Sequence, residues 1–411
     1  MKRIVIIGGG AAGMMAAIKA AQKYNSDAKI TVIEKNEKIL RKVMITGKGR
    51  CNLTNNCDND TLFSNIPRNP RFLYSAFSKF APKDTMSFFE EAGVPLKTER
   101  GNRVFPVSDK AVDIVDAMFS LAKKLKINIV NAIAKEILTE DISVSGVLLE
   151  NGEIIGADSV LIATGGASYS LTGSTGDGYT LAEKLGHTVK EISPSLIPLE
   201  CHEGFCSHLS GLSLKNVTLS VFEDDTKKPV FKEMGEMLFT HFGISGPLVL
   251  SASAYMNNFG DKKYKAYIDL KPALSSEQLD DRILRDFEEN KNKDFSNSLD
   301  KLLPKSLISV IVSLSGIKAD TKVNSIDKES RKRLVGILKA FPLSITRTRP
   351  IEEAIITRGG ISVKEINPAT MESKIINGLF FAGEIIDVDA LTGGFNLQIA
   401  FSTGAVAGEN L

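Results

Sequence analysis

The sequence predicts an α/β fold in which a parallel β-sheet with flanking helices is interrupted by a long insertion. Three observations support this prediction. The chain begins with a strand, a glycine turn and a helix; two further apolar strands end in small residues near positions 163 and 382; and the region from about 190 to 345 lacks alternating strands and helices. The length of 411 residues leaves room for two or three domains.

The composition is that of a folded globular protein, with 43% hydrophobic and 24% charged residues. A formal net charge of +2 does not by itself predict a nucleic-acid or membrane partner, although local basic patches leave RNA binding open. The four cysteines are too few for a disulfide framework, which is typical of the reducing cytoplasm. No apolar run reaches the roughly 18 residues of a membrane span. We therefore expect a cytoplasmic protein with no membrane partner.

The N-terminal segment "RIVIIGGGAAGMMAAIKAA" predicts the first strand, a tight turn and a helix. Its glycines follow the Gly8-x-Gly10-x-x-Gly13 spacing, in which they permit the turn, the close approach of a pyrophosphate and tight packing of the helix on the strand. The phosphates would lie at the helix N-terminus, beside Ala11 and Ala12. This pattern predicts a dinucleotide site.

A second strand, "KITVIEK", places Glu34 about 20 residues beyond the glycine turn, where a carboxylate accepts hydrogen bonds from a ribose. A carboxylate repels a 2′-phosphate, so Glu34 favours FAD or NAD over a phosphorylated dinucleotide. Lys35, the next residue, leaves the phosphorylated alternative open.

The second half of the chain favours FAD over NAD. The strand "DSVLIATGG" ends in small residues, the strand "GLFFAGE" ends at Gly383-Glu384, and "LTGGFNLQIAFSTGAVAG" predicts a final helix. This order resembles FAD-binding proteins of the glutathione-reductase-like class, in which the last strand meets the ribityl chain and the last helix points at the flavin. The predicted cofactor contacts in these parts and in the preceding strands are Ile133, Thr164, Gly165, Gly166, Gly383, Glu384, Asp387, Asn396, Leu397 and Gln398.

The loop "KVMITGKGRCNLTNN" allows three interpretations: a phosphate cradle, a nucleic-acid contact or a reactive thiol. We favour an extension of the cofactor site, because backbone N–H groups and an arginine suit a pyrophosphate or ribityl contact. Structural polar packing is the alternative. The thiol has no partner in a C-x-x-C spacing, so we interpret it as a small filler beside the flavin rather than a nucleophile. The predicted contacts are Lys42, Gly47, Arg50, Cys51 and Asn52.

The middle of the chain predicts two inserted parts. Turn-punctuated, β-branched sequence predicts a small antiparallel β domain over residues 191–272, and helical periodicity predicts a helical domain over 273–344. The FAD-binding Rossmann domain would then be discontinuous, with residues 1–190 and 345–411.

The motifs together resemble a bacterial flavoprotein family whose members include a bile-acid enone reductase, an aminoacetone oxidase and a ribosomal-RNA dihydrouridine synthase. The resemblance covers nearly the whole chain and rests on "GGGAAG", "TGKGRCNLTN", "NRVFPVSDKA", "ATGGASY", "GEMLFTHFGISGP", "TRGGI" and "GLFFAGEIIDVDALTGGFNLQIAFSTG". One departure is Ala390, where the family usually has glycine. The resemblance implies that the insertion covers the flavin as a roof over the substrate.

Four polar residues in the matching segments are candidates for chemistry: His241, Arg103, Tyr169 and Arg358. His241 is the candidate proton donor or substrate ligand, because imidazole exchanges protons near neutral pH; a purely structural histidine is the alternative. The segment "CHEGFCSH" matches no zinc-binding spacing, so we predict no metal site.

These observations predict an FAD-dependent oxidoreductase that reduces an activated carbon–carbon double bond, with NAD(P)H as a transient electron donor, because no second nucleotide domain is evident. The substrate would be a small molecule or a nucleobase with an enone-like bond. Three alternatives stay open: an amine oxidase that uses oxygen, a dihydrouridine synthase that acts on ribosomal RNA, and a non-enzymatic electron-transfer module.

Overall fold

A computed structural model describes residues 1–224 and 226–411, which form two compact units. The first, here called the cofactor unit, consists of Met1–Ser195 and Pro350–Leu411, and the second, the inserted unit, consists of Leu196–Arg349. The division lies five residues beyond each boundary that the sequence predicted. That these parts are domains which fold independently stays a prediction.

The cofactor unit begins with eleven strands and seven helices among the described residues. The strands are β1 (Lys2–Ile7), β2 (Ala28–Glu34), β3 (Thr54–Asn55), β4 (Leu96–Glu99), β5 (Arg103–Pro106), β6 (Asn128–Asn131), β7 (Ala134–Glu140), β8 (Ser143–Leu149), β9 (Ile154–Gly156), β10 (Ser159–Ile162) and β11 (Val189–Ser195). The helices are α1 (Ala11–Tyr24), α2 (Arg41–Ile45), α3 (Asn59–Ser64), α4 (Tyr74–Lys79), α5 (Pro82–Glu91), α6 (Ala111–Lys124) and α7 (Asp177–Lys184).

The inserted unit follows, and the chain then returns to the cofactor unit. The insertion contains β12 (Leu199–Cys201), α8 (Phe205–His208), β13 (Ser213–Glu223), β14 (Phe231–Thr240), β15 (Gly243–Ser245), α9 (Pro247–Ser253), β16 (Tyr264–Asp269), α10 (Ser276–Glu289), α11 (Phe295–Ser298), α12 (Lys305–Ser315), α13 (Lys328–Lys339) and β17 (Phe341–Thr348). The return adds β18 (Ile356–Ile361), β19 (Leu379–Phe381) and α14 (Phe395–Asn410).

A five-stranded parallel sheet with the order β19-β10-β1-β2-β6 forms the centre of the cofactor unit. Its strands are apolar because the sheet is buried: Ile4, Val32 and Leu161 are almost fully excluded from solvent. The C-terminal strand β19 joins the sheet beside β10, so the end of the chain completes the N-terminal domain. The predicted α/β Rossmann fold class is confirmed.

Smaller antiparallel sheets complete the cofactor unit. They have the orders β3-β5-β4 and β7-β8-β9, and β11 pairs with β18. The last pair joins Val189 to Ile361 and Ser195 to Ile356. The chain therefore leaves the unit and returns to it through two neighbouring strands, which explains how a long insertion is accommodated.

The inserted unit is a closed six-stranded barrel, β12-β15-β14-β13-β16-β17, with helices packed on it. Strand and helix residues share one hydrophobic cluster, which includes Leu219, Phe239 and Ile268 from the strands and Leu307 and Leu334 from the helices. The β-rich and helical segments, predicted as separate insertions, are thus built around a common core. Among the residues that the structure describes, no helix combines the length and the apolar character needed to cross a membrane.

Buried His187 is expected to make the stability of the cofactor unit depend on pH. Its Nε2 lies 2.8 Å from Ser373 Oγ, and its ring packs against Phe381 with a centroid distance of 4.9 Å. Burial lowers the pKa of His187, because the charged imidazolium loses its hydration. The unfolded chain therefore binds a proton that the folded chain does not, and the contribution of His187 is complete above the unfolded pKa of about 6.5.

We expect the free energy of unfolding to fall as the pH decreases below about 6.5, by up to about 1.4 kcal/mol per pH unit from this residue. Urea unfolding at a series of pH values measures it. The variant His187→Asn should remove this component, whereas the exposed control His208→Asn should retain it. Identical pH profiles for wild type and His187→Asn would contradict the assignment.

Candidate functional site

Three glycine-rich segments from distant parts of the chain meet at one edge of the parallel sheet. They follow the carboxyl ends of β1, β10 and β19. Ala163 N donates to Ile7 O at 2.8 Å, and Ala382 N donates to Ile162 O at 3.2 Å, so the strand ends are in register. In open parallel sheets, ligands bind outside the carboxyl ends of the strands. This edge is therefore the candidate functional site.

The first glycine turn has the shape of a phosphate cradle. A Cβ at Gly8, where φ is +107°, would lie 2.5 Å from Ala163 O, and a Cβ at Gly13 would lie 2.0 Å from Gly8 O. A Cβ at Gly10, in contrast, would meet no protein atom within 4 Å. Gly10 caps α1, whose first N–H groups, at Ala11 and Ala12, have no acceptor within the helix. Open space beside free helix N–H groups fits a pyrophosphate.

Glu34 is fixed at the end of β2 beside this turn. Its Oε2 accepts a hydrogen bond from Gly9 N at 2.8 Å, and its Oε1 accepts from Asn36 N at 2.8 Å and Asn36 Nδ2 at 2.7 Å. Lys35 instead pairs with Asp177 at 2.5 Å and contacts Thr175. Lys35 thus already has an anionic partner within the protein. Its predicted role at the cofactor stays a prediction.

Ile133 lies between β6 and β7, where its side chain is 42% exposed. Its carbonyl oxygen accepts a hydrogen bond from Glu150 N at 2.9 Å. Since β6 is the last strand of the parallel sheet on the Glu34 side, Ile133 follows the carboxyl end of that strand. Its predicted contact with the dinucleotide stays a prediction.

The loop after α2 turns sharply, and its Arg50 side chain is already paired within the protein. Gly47, Lys48 and Gly49 have φ values of +58°, +59° and +83°, which turn the chain sharply. The Arg50 guanidinium pairs with Glu99 and Asp109 and lies 4.1 Å from the centre of the Phe105 ring. The predicted contact of Arg50 with FAD therefore stays a prediction, and protein acceptors already hold its side chain.

Cys51 is a packed thiol. It is fully buried, and burial raises the pKa of Cys51 to about 12, although a hydrogen bond with Thr46 opposes the shift. A thiol with this pKa is almost entirely protonated at neutral pH and is a poor nucleophile. The reactive-thiol interpretation of the loop is therefore disfavoured.

We expect iodoacetamide at about pH 7.5 to leave Cys51 unmodified in the folded protein. Peptide mass spectrometry after quenching measures the modified fraction, and the urea-unfolded protein is the control in which Cys51 reacts. The variant Cys51→Ser should retain its flavin. Rapid modification of Cys51 in the folded protein, accompanied by loss of flavin, would favour a functional thiol.

Lys42 and Glu384 form the centre of a partly buried polar network. Glu384 accepts hydrogen bonds from Lys42 Nζ at 2.8 Å, Ser168 Oγ at 3.0 Å and Thr357 N at 2.8 Å. Thr357 Oγ1 in turn accepts from the N–H groups of Ala167 at 2.8 Å and Ser168 at 3.0 Å. The structure thus brings the predicted residues Lys42 and Glu384 together with the "ATGG" segment. A Cβ at Gly166 would lie 2.3 Å from Thr357 Oγ1, so only glycine fits there.

The start of α14 offers backbone groups rather than side chains. Asn396 donates through Nδ2 to Ala390 O at 2.7 Å and accepts through Oδ1 from Ala390 N at 2.9 Å, which orders the preceding loop. Fully buried Gln398 accepts from Thr54 Oγ1 at 2.5 Å and Thr85 Oγ1 at 2.9 Å. The Asn396 and Gln398 side chains are occupied, and Gln398 N donates to Gly394 O at 3.1 Å, so the predicted FAD contacts of Asn396, Leu397 and Gln398 would depend on the N–H groups of Asn396 and Leu397. They stay predictions.

Unpartnered buried atoms around this edge fit a polar ligand. Asn52 Oδ1, Thr164 Oγ1 and Tyr179 Oη are buried and have no hydrogen-bond partner among the described residues. Burial raises the pKa of Tyr179, and the nearby Glu384 and Asp387 add to the effect, so its hydroxyl is a donor at neutral pH. Buried polar groups are normally hydrogen-bonded, and a bound dinucleotide would supply such partners. The residues present therefore fit FAD.

The four candidate catalytic residues do not share one unit. Arg358 is buried on β18, and Tyr169 is half-buried with its ring 5.8 Å from Lys42 Nζ. Arg103 is exposed on β5, where its Nη2 lies 4.0 Å from Glu99. His241 belongs to the inserted unit and is exposed in the tight turn between β14 and β15. No group of three or more potential ligands among the described residues could hold a metal.

A charged cluster that was not predicted from the sequence centres on Asp387 and Asp389, which follow β19. Arg68 contacts both Asp387 and Asp389, and Ser195 donates to Asp389 at 2.8 Å. Of these residues only Asp387 was predicted. The spacing of two aspartates in "DVDA" was the available signal, but nothing in the local sequence indicated that Arg68 and Ser195 would meet them.

Comparison with known proteins identifies the family. The sequence profile of the HI0933-like protein Rossmann domain matches residues 2–410. The chain belongs to the HI0933-like family. The predicted resemblance is therefore confirmed, and the protein is an FAD-dependent oxidoreductase of this family.

Curated relatives align with this chain from end to end. A 3-dehydro-bile acid delta(4,6)-reductase of Clostridium scindens is 30% identical over 100% of this chain and 98% of its own length. A ribosomal RNA dihydrouridine synthase of Haemophilus influenzae is 32% identical over 97% of this chain and 96% of its own length. The solved structure of 3-ketosteroid delta1-dehydrogenase from Sterolibacterium denitrificans shares the fold, with a TM-score of 0.54, 13% identity and 99% of both chains covered.

Proposed function

We propose that the protein reduces a carbon–carbon double bond conjugated to a carbonyl group, with electrons supplied by a reduced nicotinamide. The observation that carries the proposal is the 30% identity, over the full chain, to a 3-dehydro-bile acid delta(4,6)-reductase. The relatives named as dihydrouridine synthases favour the same bond chemistry, because the uracil 5,6 double bond is also conjugated to a carbonyl.

The cofactor unit contains groups suited to each part of FAD. The N–H groups of Ala11 and Ala12 beside Gly10 would bind the pyrophosphate, and Glu34 would accept from the ribose. The polar network of Lys42 and Glu384 would orient the ribityl side, where Asp387 follows. Bound FAD supplies the hydride in such reductions. The N-terminus of α14, capped by Gly394, would stabilise negative charge nearby.

The reduction also needs a proton at the carbon next to the carbonyl group. We assign this proton to His241, because imidazole is the side chain best matched to proton transfer near neutral pH. Tyr169 is the alternative donor in the cofactor unit, whereas Arg358 and Arg103, whose guanidinium groups do not give up a proton, would contact the substrate. The variant His241→Gln should slow reoxidation of the reduced flavin by substrate about 100-fold while leaving reduction by nicotinamide unchanged. An unchanged reoxidation rate would exclude His241 as the donor.

Anaerobic stopped-flow spectroscopy of the holoenzyme tests the reaction. NADH and NADPH are mixed separately with the oxidised protein, and the faster donor is identified from bleaching of the flavin absorbance. The reduced protein is then mixed with a 4,6-dien-3-one steroid, an RNA fragment that contains uridine, or oxygen. Rapid reoxidation by the steroid or the RNA, with a saturated product, supports the proposal.

Two outcomes would overturn the proposal. Rapid reoxidation by oxygen alone, with peroxide formed when a primary amine is added, would show an oxidase. Failure of both nicotinamides to reduce the flavin, combined with no reaction of the chemically reduced protein, would leave an electron-transfer module.

The ribosomal-RNA reaction is the second candidate, because two curated relatives at 29% and 32% identity have that name. The basic start of α13, with exposed Lys328 and Arg333, would contact phosphates, and so would the exposed Arg347 if it exchanged its partner Glu200 for a phosphate. Mass spectrometry of ribosomal RNA after deletion of the gene would show the loss of one dihydrouridine. Unchanged RNA would eliminate this candidate and leave the small-molecule substrate.

A further inference from the structure

Arg68 holds two buried aspartates on the segment between β19 and α14. Its Nη1 lies 3.1 Å from Asp387 Oδ1, and its Nε lies 3.4 Å from Asp389 Oδ1. The two carboxyl groups are 5% and 1% exposed, respectively. Both follow the carboxyl end of β19, and Asp387 lies near Tyr179, which also lies near Glu384 of the cofactor site.

The two carboxyl groups differ in how many of their oxygens accept a hydrogen bond. Asp387 also accepts from Asn69 Nδ2 at 3.0 Å, so both of its oxygens have a nitrogen donor. Asp389 accepts from Ser195 Oγ at 2.8 Å, whereas its Oδ1 is buried without a well-directed hydrogen bond among the described residues. Asp389 is therefore the carboxyl group whose charged form is less well stabilised.

Opposing effects act on the protonation of Asp389. Burial raises the pKa of Asp389, Asp387 raises it further, and Arg358, Ser195 and Arg68 lower it. Asp387 is faced in addition by Tyr179, which also lies near Glu384. Two arginines balance two aspartates, so the cluster is near neutrality when both carboxyl groups are charged. An additional negative charge at this edge would favour the neutral form of the least stabilised carboxyl group.

We propose that Asp389 is a proton store for the flavin site, taking up one proton when the bound FAD is reduced and releasing it when the flavin is reoxidised. Arg68 and Ser195 position the carboxyl group. Electrons and protons balance in this scheme. A reduced nicotinamide or another two-electron reductant would give two electrons and one proton to FAD, and the Asp389 carboxylate would take a further proton from water. Reoxidation returns both electrons to the acceptor and releases the stored proton. Under the proposed function, the proton that Asp389 releases would equal in number the proton that the substrate takes up during its reduction.

The pH dependence of the flavin midpoint potential tests the proton store in the holoenzyme without any substrate. One proton per two electrons changes the potential by about 30 mV per pH unit, and two protons change it by about 59 mV. We expect the steeper slope for wild type over part of the neutral range and the shallower slope throughout for Asp389→Asn. The control Asp158→Asn also removes an aspartate paired with arginine, Arg3, but at the amino end of β10, and should retain the wild-type slope.

A second variant keeps the proposal testable even if Asp389→Asn does not fold. Ser195→Ala removes the hydroxyl that stabilises the carboxylate, so the steep region should move to higher pH. A wild-type slope of about 30 mV throughout, or a steep slope that survives in Asp389→Asn, would overturn the proposal. Because the measurement needs no substrate, failure of the enone reaction would leave its result unaffected.

Discussion

The variant Gly10→Val is expected to fold normally and to lose its FAD. Gly10 has φ −81° and ψ −170°, an extended conformation that suits valine, and a Cβ there would meet no protein atom within 4 Å. The added atoms would instead occupy the space beside the N-terminus of α1, where we place the pyrophosphate. We expect at least about 100-fold weaker FAD binding, equivalent to about 3 kcal/mol.

Fluorescence titration of the apoprotein with FAD measures the affinity, and urea unfolding of the apoprotein measures the fold. The matched control is Gly13→Val in the same motif. Its Cβ would lie 2.0 Å from Gly8 O, a backbone atom, so this variant should be destabilised even without FAD. Wild-type FAD affinity in Gly10→Val would mean that the pyrophosphate does not bind at this turn.

The variant Gly404→Ala is expected to destabilise the cofactor unit by about 1–3 kcal/mol. Helix α14 packs against α1 through glycine: a Cβ at Gly404 would lie 2.4 Å from Ala12 O, and a Cβ at Gly408 would lie 2.4 Å from Ala16 O. Alanine is otherwise the better helix former, so a loss of stability would come from the packing of the two helices. Displacement of α14 should also weaken FAD binding, because its first turn lies at the predicted flavin site.

Gly336→Ala in α13 is the control, since Gly336 is exposed and a Cβ there would meet nothing within 4 Å. We expect this substitution to stabilise the protein by about 0.4–1 kcal/mol. Chemical unfolding of the purified variants, followed by far-UV circular dichroism and flavin fluorescence, compares them. Equal stability gains in Gly404→Ala and Gly336→Ala would show that α14 can move away from α1 at little cost.

Local sequence was sufficient for much of the fold, including the glycine turn at which we place the dinucleotide. The spacing of Gly8, Gly10 and Gly13 between an apolar strand and an alanine-rich helix has one common structural solution. The position of Glu34 follows from it, because the next strand of a βαβ unit runs parallel to the first and ends at the same edge. The end-to-end motif pattern also indicated the family.

The side-chain partners of Arg50 and Gln398 were harder to predict, because these partners are distant in the chain. Arg50 was expected to face the cofactor from its charge and its glycine-rich neighbours, but Glu99 and Asp109 bind its guanidinium. Gln398 lies in the first turn of α14, the helix that was expected to point at the flavin, yet its amide is buried among Thr54, Thr85 and Ser402. Neither set of partners has a local sequence signal.

The sequence by itself determined the parallel sheet, the glycine turn and the position of Glu34, because these depend on backbone geometry and on the periodicity of neighbouring residues. Only the tertiary structure decided that Lys42 meets Glu384 and that Arg68 lies between Asp387 and Asp389. The physical reason is that a buried charge must find a partner in space. Which residue becomes that partner depends on how the strands and loops pack, and a linear sequence does not specify it.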